Sequence, residues 1–262
     1  MKLISYSVMT IWLMMAVFAG LIGAESNLVE LNLMLEPPNL EAWFGYDELG
    51  RPVLQRLIIG AQTSFIVAIS VVVFSFVIGT SIGIYSAYIG GLTDKVTTKV
   101  IDVFLAFPGL LLAIALAAIL GPGIENVVFA LVTVGWVGYA RLARAQTLSF
   151  KHREHIAAAK ALGTPTYLIL FKHLLPLILA TLGVEATFGI AGAVISEAGL
   201  SFLGLGVQAP EASWGSMIRE GTRYLLVAPH LVIFPGLALM LVVLAVNLAG
   251  DRLRDKLDIK AR

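Results

Sequence analysis

Long apolar runs separated by short polar stretches are the dominant pattern along this chain. Apolar windows that approach or reach the length of a bilayer crossing occur at six places, residues 7–24, 64–89, 103–120, 126–140, 177–196 and 231–249. A lipid-embedded backbone must satisfy its hydrogen bonds internally, and these windows are longer than the roughly 10 alternating residues of a barrel strand. The pattern therefore predicts an all-α, polytopic membrane protein with six transmembrane helices in contact with the lipid bilayer.

The composition agrees with a membrane protein and narrows its chemistry. Hydrophobic residues make up 58% of the chain, charged residues only 13%, and the mean hydropathy is +0.91, whereas about a quarter of residues are charged in soluble domains. The absence of cysteine excludes disulfides, cysteine nucleophiles and thiolate metal sites. The histidines lack a carboxylate-rich surrounding, so we expect no metal site. We also expect no nucleic-acid partner.

The charges are distributed unequally between the two sides that six spans define. The two termini share one side with residues 90–102 and 141–176, and the opposite side contains residues 25–63, 121–125 and 197–230. The first side holds 14 basic and 6 acidic residues, and the second holds 4 basic and 10 acidic residues if Glu197 is counted at its boundary. Because cytoplasmic loops carry the excess of Lys and Arg, both termini are predicted to be cytoplasmic.

The chain divides into two regions at the start of the second apolar window. Residues 1–63 contain the first transmembrane helix and an extracytoplasmic segment, and residues 64–262 form the transmembrane core. Within the first region, the amphipathic residues 53–59 are predicted to lie along the membrane interface. A cleaved signal peptide is an alternative interpretation of the first span. Ile22, three places before a cut after Ala24, disfavours that alternative.

The central segment, residues 151–176, interrupts the apolar pattern with basic and helix-forming residues. Three successive alanines favour a helix, and Gly163 is a typical residue at a helix C-terminus, where the backbone adopts a positive φ. Thr164 then offers an N-cap oxygen, and Pro165 fits the first position of a second helix. A loop that needed only its positive charge would not require two capped helices. We therefore favour a docking element over a plain basic loop.

The central segment resembles the cytoplasmic loop of ABC importer permeases, which has the family pattern E-A-A-x3-G-x9-I-x-L-P. The matching residues here are Ala158, Ala159, Gly163, Leu175 and Pro176, with Ala157 at the Glu position and His173 at the Ile position. Further stretches extend the resemblance over nearly the whole chain, to the C-type permease subunit of the dipeptide, oligopeptide and nickel importers. They are GYDELGRPVLQRLIIGAQTS, YIGGLTDKVTTKVIDVFLAFPGLLLA, GYARLARAQTLS, EAGLSFLGLGVQAPEASWGSMIREG and FPGLALMLVVLAVNLAGDRLRDKLD. Tyr46 and Pro52 depart from the usual Thr and Asp of the first stretch.

The resemblance implies a type I ABC importer permease fold with cytoplasmic coupling helices, in the inner membrane of a bacterial or archaeal cell. It implies a heterodimer with a related B-type permease subunit, two cytoplasmic ABC ATPase subunits and an extracytoplasmic substrate-binding protein. It also implies that the ATPase-coupling loop comprises Ala157, Ala158, Ala159, Gly163, Thr164, Pro165, Leu175 and Pro176. No G-x4-G-K-[S/T] stretch occurs, so this chain lacks the usual backbone cradle for nucleotide phosphates. We expect a non-catalytic subunit without a cofactor, with ATP and Mg on the ATPase subunits.

Four residues are candidates for the translocation pathway. Glu185 lies inside the fifth apolar window, where a carboxylate is a functional candidate, although it could also be a hydrogen-bonded packing residue. Glu197 lies at the outer boundary, where interfacial solvation is the alternative explanation. Phe202 and Trp214 belong to residues 199–230, which are too polar for lipid and are expected to fold over the outer mouth.

The function predicted from the resemblance is peptide import by alternating access, in which ATP-driven closure of the ATPase pair moves the central segment. Nickel chelates and glutathione are alternative substrates within the same family. A stand-alone secondary transporter is a more remote alternative, because such proteins place paired charges or broken helices at mid-membrane and only Glu185 qualifies here. A membrane scaffold without transport activity would explain the hydrophobicity but not the capped cytoplasmic helices.

Overall fold

The computed structural model describes residues 2–21 and 27–260, and this part of the chain is built from helices without a β-strand. The helices are α1 (Lys2–Phe18), α2 (Val53–Ile89), α3 (Gly91–Leu105), α4 (Gly109–Leu120), α5 (Ile124–Phe150), α6 (Glu154–Ala161), α7 (Thr166–Leu168), α8 (Leu175–Phe202), α9 (Trp214–Thr222) and α10 (His230–Lys260). A π-helical turn, Ile169–Leu174, joins α7 to α8 without a break. The predicted all-α fold is confirmed.

Four helices are long and apolar enough to cross a membrane. Their ranges are Val53–Ile89, Ile124–Phe150, Thr166–Phe202 and His230–Leu257. The bent pair α3 and α4 provides a fifth crossing if it is counted as one span, and α1 contains a shorter apolar helix, Ile4–Phe18. Each of the six predicted windows therefore contains part of an apolar helix, but only four of them belong to uninterrupted helices long enough to cross a membrane.

The third predicted window, residues 103–120, is not one helix. α3 ends at Leu105, α4 begins at Gly109, and the two axes are bent by 84°. Pro108 lacks an N–H and disfavours helical backbone at the residue before it, so the α-helix cannot run through this point. At 1.5 Å per residue the 12 residues of α4 extend about 18 Å, which is short of a bilayer core of about 30 Å.

Residues 53–59 do not lie along the interface as predicted, because they form the first turns of the 37-residue helix α2. Val53 and Leu57 are buried, and Trp214 Nε1 donates a hydrogen bond to the Leu57 carbonyl over 3.0 Å. The Arg56 side chain is 2% exposed, and its guanidinium finds its partners within the protein rather than among lipid headgroups. The helix thus begins eleven residues before the predicted window at residue 64.

Arg56 belongs to an ionic cluster that joins the segment before α2 to α9. Asp47 Oδ2 lies 2.7 Å from Arg51 Nε and 3.3 Å from Arg56 Nε, and Arg56 Nη2 lies 3.7 Å from a Glu220 oxygen. Asp47, Arg51 and Arg56 are all buried. Burial raises the pKa of Glu48, which also pairs with Arg51, and the Asp47 carboxylate raises it further. Buried charges of this kind are stable only when paired, so the cluster fixes the segment before α2 against α2 and α9.

A close helix contact in the core joins α2 to α5 through glycines. Gly79 and Gly83 are four residues apart and therefore lie on one face of α2. A β-carbon on Gly79 would collide with the Trp136 carbonyl oxygen, and one on Gly83 would collide with the Ala140 carbonyl oxygen. The two backbones touch because both positions lack a side chain, as in other membrane helix pairs with small residues at this spacing.

The first helix packs into the same bundle. Trp12 is buried, its Nε1 donates to the Ala61 carbonyl over 3.2 Å, and its ring contacts Phe65 edge to face. Ser5 Oγ donates to the Ala245 carbonyl over 2.8 Å. These contacts fix α1 against both α2 and α10.

Candidate functional site

The central segment lies between the ends of α5 and α8 and consists of two short helical stretches. The chain turns at residues 151–153 after α5, and α6 then covers Glu154–Ala161. Gly163 follows with a φ of +77°, in the left-handed region that favours glycine. The predicted break at Gly163 is confirmed, because a residue with a β-carbon would be strained there.

The second helical stretch begins one residue later than predicted. Pro165, with extended backbone angles, is the N-cap of α7, and no side chain caps this end. The predicted role of Thr164 as N-cap is therefore wrong, and Pro165 precedes the helix instead of occupying its first position. The π-helical turn lies just before Pro176, whose ring would clash with a carbonyl four residues earlier in a regular helix. The wider turn allows the helix to continue through Pro176 into α8.

The two faces of the central segment have different environments. Its inner face is buried against the core: Ile156, Ile169 and Leu174 pack in one cluster with Ile84 of α2 and Tyr139 of α5. The outer face exposes apolar side chains, namely Leu162, Tyr167 and Phe171. Of the predicted loop residues, Ala157, Ala158, Gly163, Pro165 and Pro176 are exposed, Thr164 and Leu175 are half-buried, and Ala159 is buried. The segment is thus anchored on its inner face and exposes apolar side chains on its outer face.

Two polar contacts connect the approach to the central segment with the neighbouring helices. Arg144, one turn and a half before the end of α5, pairs with Asp94 of α3 through two bonds of 2.6 and 2.8 Å. Such bidentate pairs fix the geometry as well as the distance. Lys151 Nζ donates to the Ala87 carbonyl at the end of α2 over 2.9 Å. The end of α5 is thus tied to α3, and the first residue of the central segment is tied to the end of α2.

A cavity of about 300 Å³ lies between α2, α4, α5 and α8. Its wall is mostly apolar or glycine, and its polar groups come from Ser75, Tyr139, Glu185 and Ser196. These four residues lie in apolar windows of the sequence, and only Glu185 among them was predicted; Ser75, Tyr139 and Ser196 were missed. The available signal was that a hydroxyl in an apolar run has to find a partner or line a polar space.

The four pathway candidates lie in different environments. Glu185 lines the cavity and is exposed. Phe202, the last residue of α8, is 43% exposed. Trp214 is fully buried in the core, next to Trp12, and does not line the cavity.

Glu197 is not solvated at an interface, as the alternative explanation for it required. It is 1% exposed, and its carboxylate accepts hydrogen bonds from Ser64 Oγ at 3.0 Å and from Ser201 Oγ at 2.7 Å. These hydroxyls replace water around a buried carboxylate and connect α2 with α8. The geometry describes a packing contact between two helices.

The bent span, the long apolar helices and the exposed central segment are the features of a multi-pass membrane protein. Residues 79–262 match the profile of the family described as "Binding-protein-dependent transport system inner membrane component". The chain belongs to this family and is a permease subunit of an ABC importer. The expected resemblance is confirmed.

Similar proteins support the same assignment. The chain is 39% identical over 264 residues to the "Dipeptide transport system permease protein DppC" of Alkalihalophilus pseudofirmus, covering 100% of this chain and 86% of that protein. It is 40% identical over 252 residues to the "Glutathione transport system permease protein GsiD" of Escherichia coli, covering 95% and 83%. A solved structure titled "Inward facing conformations of the MetNI methionine ABC transporter" matches with a TM-score of 0.61 and 23% identity, over 78% of this chain and 97% of that one. This last likeness shows the type I importer permease fold.

Proposed function

We propose that this chain forms half of the translocation pathway of an ATP-driven importer of short peptides. The observation that carries the proposal is the resemblance at 39% identity over the whole chain to a dipeptide permease. Glutathione is itself a small peptide, so the glutathione permease supports the same substrate class. Glu185 provides a polar group on the wall of the mostly apolar cavity, through which such a substrate would pass. Nickel chelates are the alternative substrate.

The importer requires partner chains for both driving force and delivery. We propose a related B-type permease as the second half of the pathway, two cytoplasmic ATPase subunits and an extracytoplasmic binding protein. The exposed apolar face at Leu162, Tyr167 and Phe171 fits a groove on an ATPase subunit. ATP and Mg would be held by the ATPase subunits alone, and this chain would contribute neither cofactor nor catalytic residue.

The purified chain alone is expected to hydrolyse no ATP, because its sequence contains no phosphate-binding loop. Vesicles that also contain the B-type permease, the ATPase pair and the binding protein should accumulate radiolabelled dipeptide only when ATP is present on the ATPase side. Phosphate release and uptake are measured on the same preparations, with radiolabelled glutathione in parallel. ATP turnover by the isolated chain would contradict a non-catalytic role, and failure of the complete system to accumulate either compound would contradict the peptide substrate.

A topology measurement tests the proposed orientation. The chain has no cysteine, so a single cysteine at Lys151 can be compared with single cysteines at Glu41 and Glu211. An impermeant thiol reagent added to intact cells should label the variants at Glu41 and Glu211 and should label Lys151→Cys only after the membrane is opened. A reporter fused after Arg262 should give a cytoplasmic signal. Labelling of Lys151→Cys from outside would overturn the charge distribution as a guide to orientation.

A further inference from the structure

The cavity between α2, α4, α5 and α8 contains polar groups whose bonding is incomplete. Among the buried side-chain atoms that the structure describes, Ser75 Oγ and Tyr139 OH have no hydrogen-bond partner. Both residues line the cavity, and both are more than nine-tenths buried. Buried hydroxyls are normally paired, so two unpaired ones in a single cavity indicate a missing partner.

Glycines bring these hydroxyls to the cavity wall. Ser75 Oγ lies 2.6 Å from the point where a β-carbon on Gly135 would be, and Tyr139 OH occupies the corresponding space at Gly189. Gly135 and Gly189 themselves line the cavity. The hydroxyls therefore lie over bare backbone, where a larger residue would displace them.

Glu185 supplies the negative charge of the same cavity. It lies ten residues inside α8, about 15 Å from the first residue of that helix, and its side chain is exposed. Its carboxylate forms no hydrogen bond or ion pair with the residues that the structure describes. A carboxylate on a transmembrane helix is costly against lipid, so it faces a polar space and acquires a cationic partner there.

We propose that this cavity binds the primary ammonium group of the transported peptide, with Glu185 as its counter-ion and Ser75 and Tyr139 as hydrogen-bond acceptors. The inference rests on the proposed function as a peptide importer. An ammonium group has three donors, and a carboxylate with two hydroxyls offers three acceptors for them. Peptides of different sequence share this group, and beyond Ser196 the rest of the wall is apolar or glycine and offers no further polar partner. The site therefore recognises a peptide by its free amino end and not by its composition.

Cysteine modification within the assembled importer tests the charge preference directly. Ser196→Cys places a single thiol of this chain on the cavity wall. We compare two methanethiosulfonate reagents of equal length, one of which carries a primary ammonium and the other a sulfonate. The rate at which each reagent modifies this chain is measured from the increase in the mass of the chain. Glu185→Gln is expected to lower the ammonium-to-sulfonate rate ratio by about tenfold or more, because a unit charge within roughly 10 Å of the reagent is worth at least that factor at an effective dielectric of about 20. Glu125→Gln makes the same carboxylate-to-amide replacement at an exposed residue at the start of α5, and it should leave the ratio unchanged.

Protection by substrate provides the second measurement. Millimolar alanyl-alanine should slow the modification of Ser196→Cys at least fivefold, N-acetyl-alanyl-alanine should have little effect, and Tyr139→Phe should weaken the protection. Leu110→Cys, on the α4 side of the cavity, is used if Ser196→Cys does not assemble. Three outcomes would overturn the ammonium site: an unchanged rate ratio in Glu185→Gln, equal protection by both peptides, or no modification at either thiol. If the same vesicles still import dipeptide, only the site is wrong, whereas complete absence of dipeptide uptake contradicts the importer itself.

Discussion

Replacement of Gly83 by leucine is expected to remove most of the folded protein from the membrane. A β-carbon at this position meets the Ala140 carbonyl oxygen, the Ala143 β-carbon at 3.0 Å and the Arg144 nitrogen at 3.0 Å. Two of these atoms belong to the backbone of α5, which cannot move aside as a flexible side chain could. The substitution would force α2 and α5 apart along their length, at a cost of at least about 3 kcal/mol.

Gly236→Leu in α10 is the matched control for this substitution, because nothing lies within 4 Å of the position of its β-carbon. Membrane abundance and the melting temperature in detergent are measured for both variants beside the unaltered chain. The control should resemble the unaltered chain, and Gly83→Leu should be scarce and aggregated. Equal abundance and melting of the two variants would show that the α2–α5 contact is looser than the structure describes.

Changes in the central segment are expected to separate transport from folding. Gly163 has a positive φ but open space around it, so Gly163→Val costs only the local backbone strain of roughly 1–2 kcal/mol. Ala158 is exposed on α6, and Ala158→Asp therefore adds a charge to a surface without disturbing the core. Both variants should insert normally. Uptake should fall by tenfold or more, because the strained turn misplaces the second helix and the new charge opposes docking of an ATPase subunit.

Three measurements on the same membranes distinguish these effects: abundance of the chain, co-purification of the ATPase pair and dipeptide uptake. Lys256→Ala, an exposed change in the last turns of α10, is the control and should behave like the unaltered chain. Loss of uptake with retained ATPase binding would indicate uncoupling, and loss of both would indicate failed docking. Normal uptake and normal ATPase binding in both central-segment variants would show that residues 151–176 are only a charged connector.

Features set by short-range physics could be predicted from the sequence. Apolar windows located the membrane helices, because burial in lipid depends on the run of residues itself. The break at Gly163 follows from a backbone restriction that acts within one or two residues. The resemblance to the permease family rested on contiguous motifs and is confirmed by the match over residues 79–262.

Features that depend on distant partners were decided only by the tertiary structure. Arg56 is part of α2 rather than an interfacial residue because Glu220 and Asp47 reach it from other segments. Glu197 is buried because Ser64, 133 residues away in sequence, supplies a hydroxyl. The cavity of Ser75, Tyr139 and Glu185 likewise exists only where α2, α5 and α8 meet. Hydrophobicity determines that a segment enters the membrane, but the pairing of polar groups between segments determines where each helix begins and which carboxylate faces a cavity.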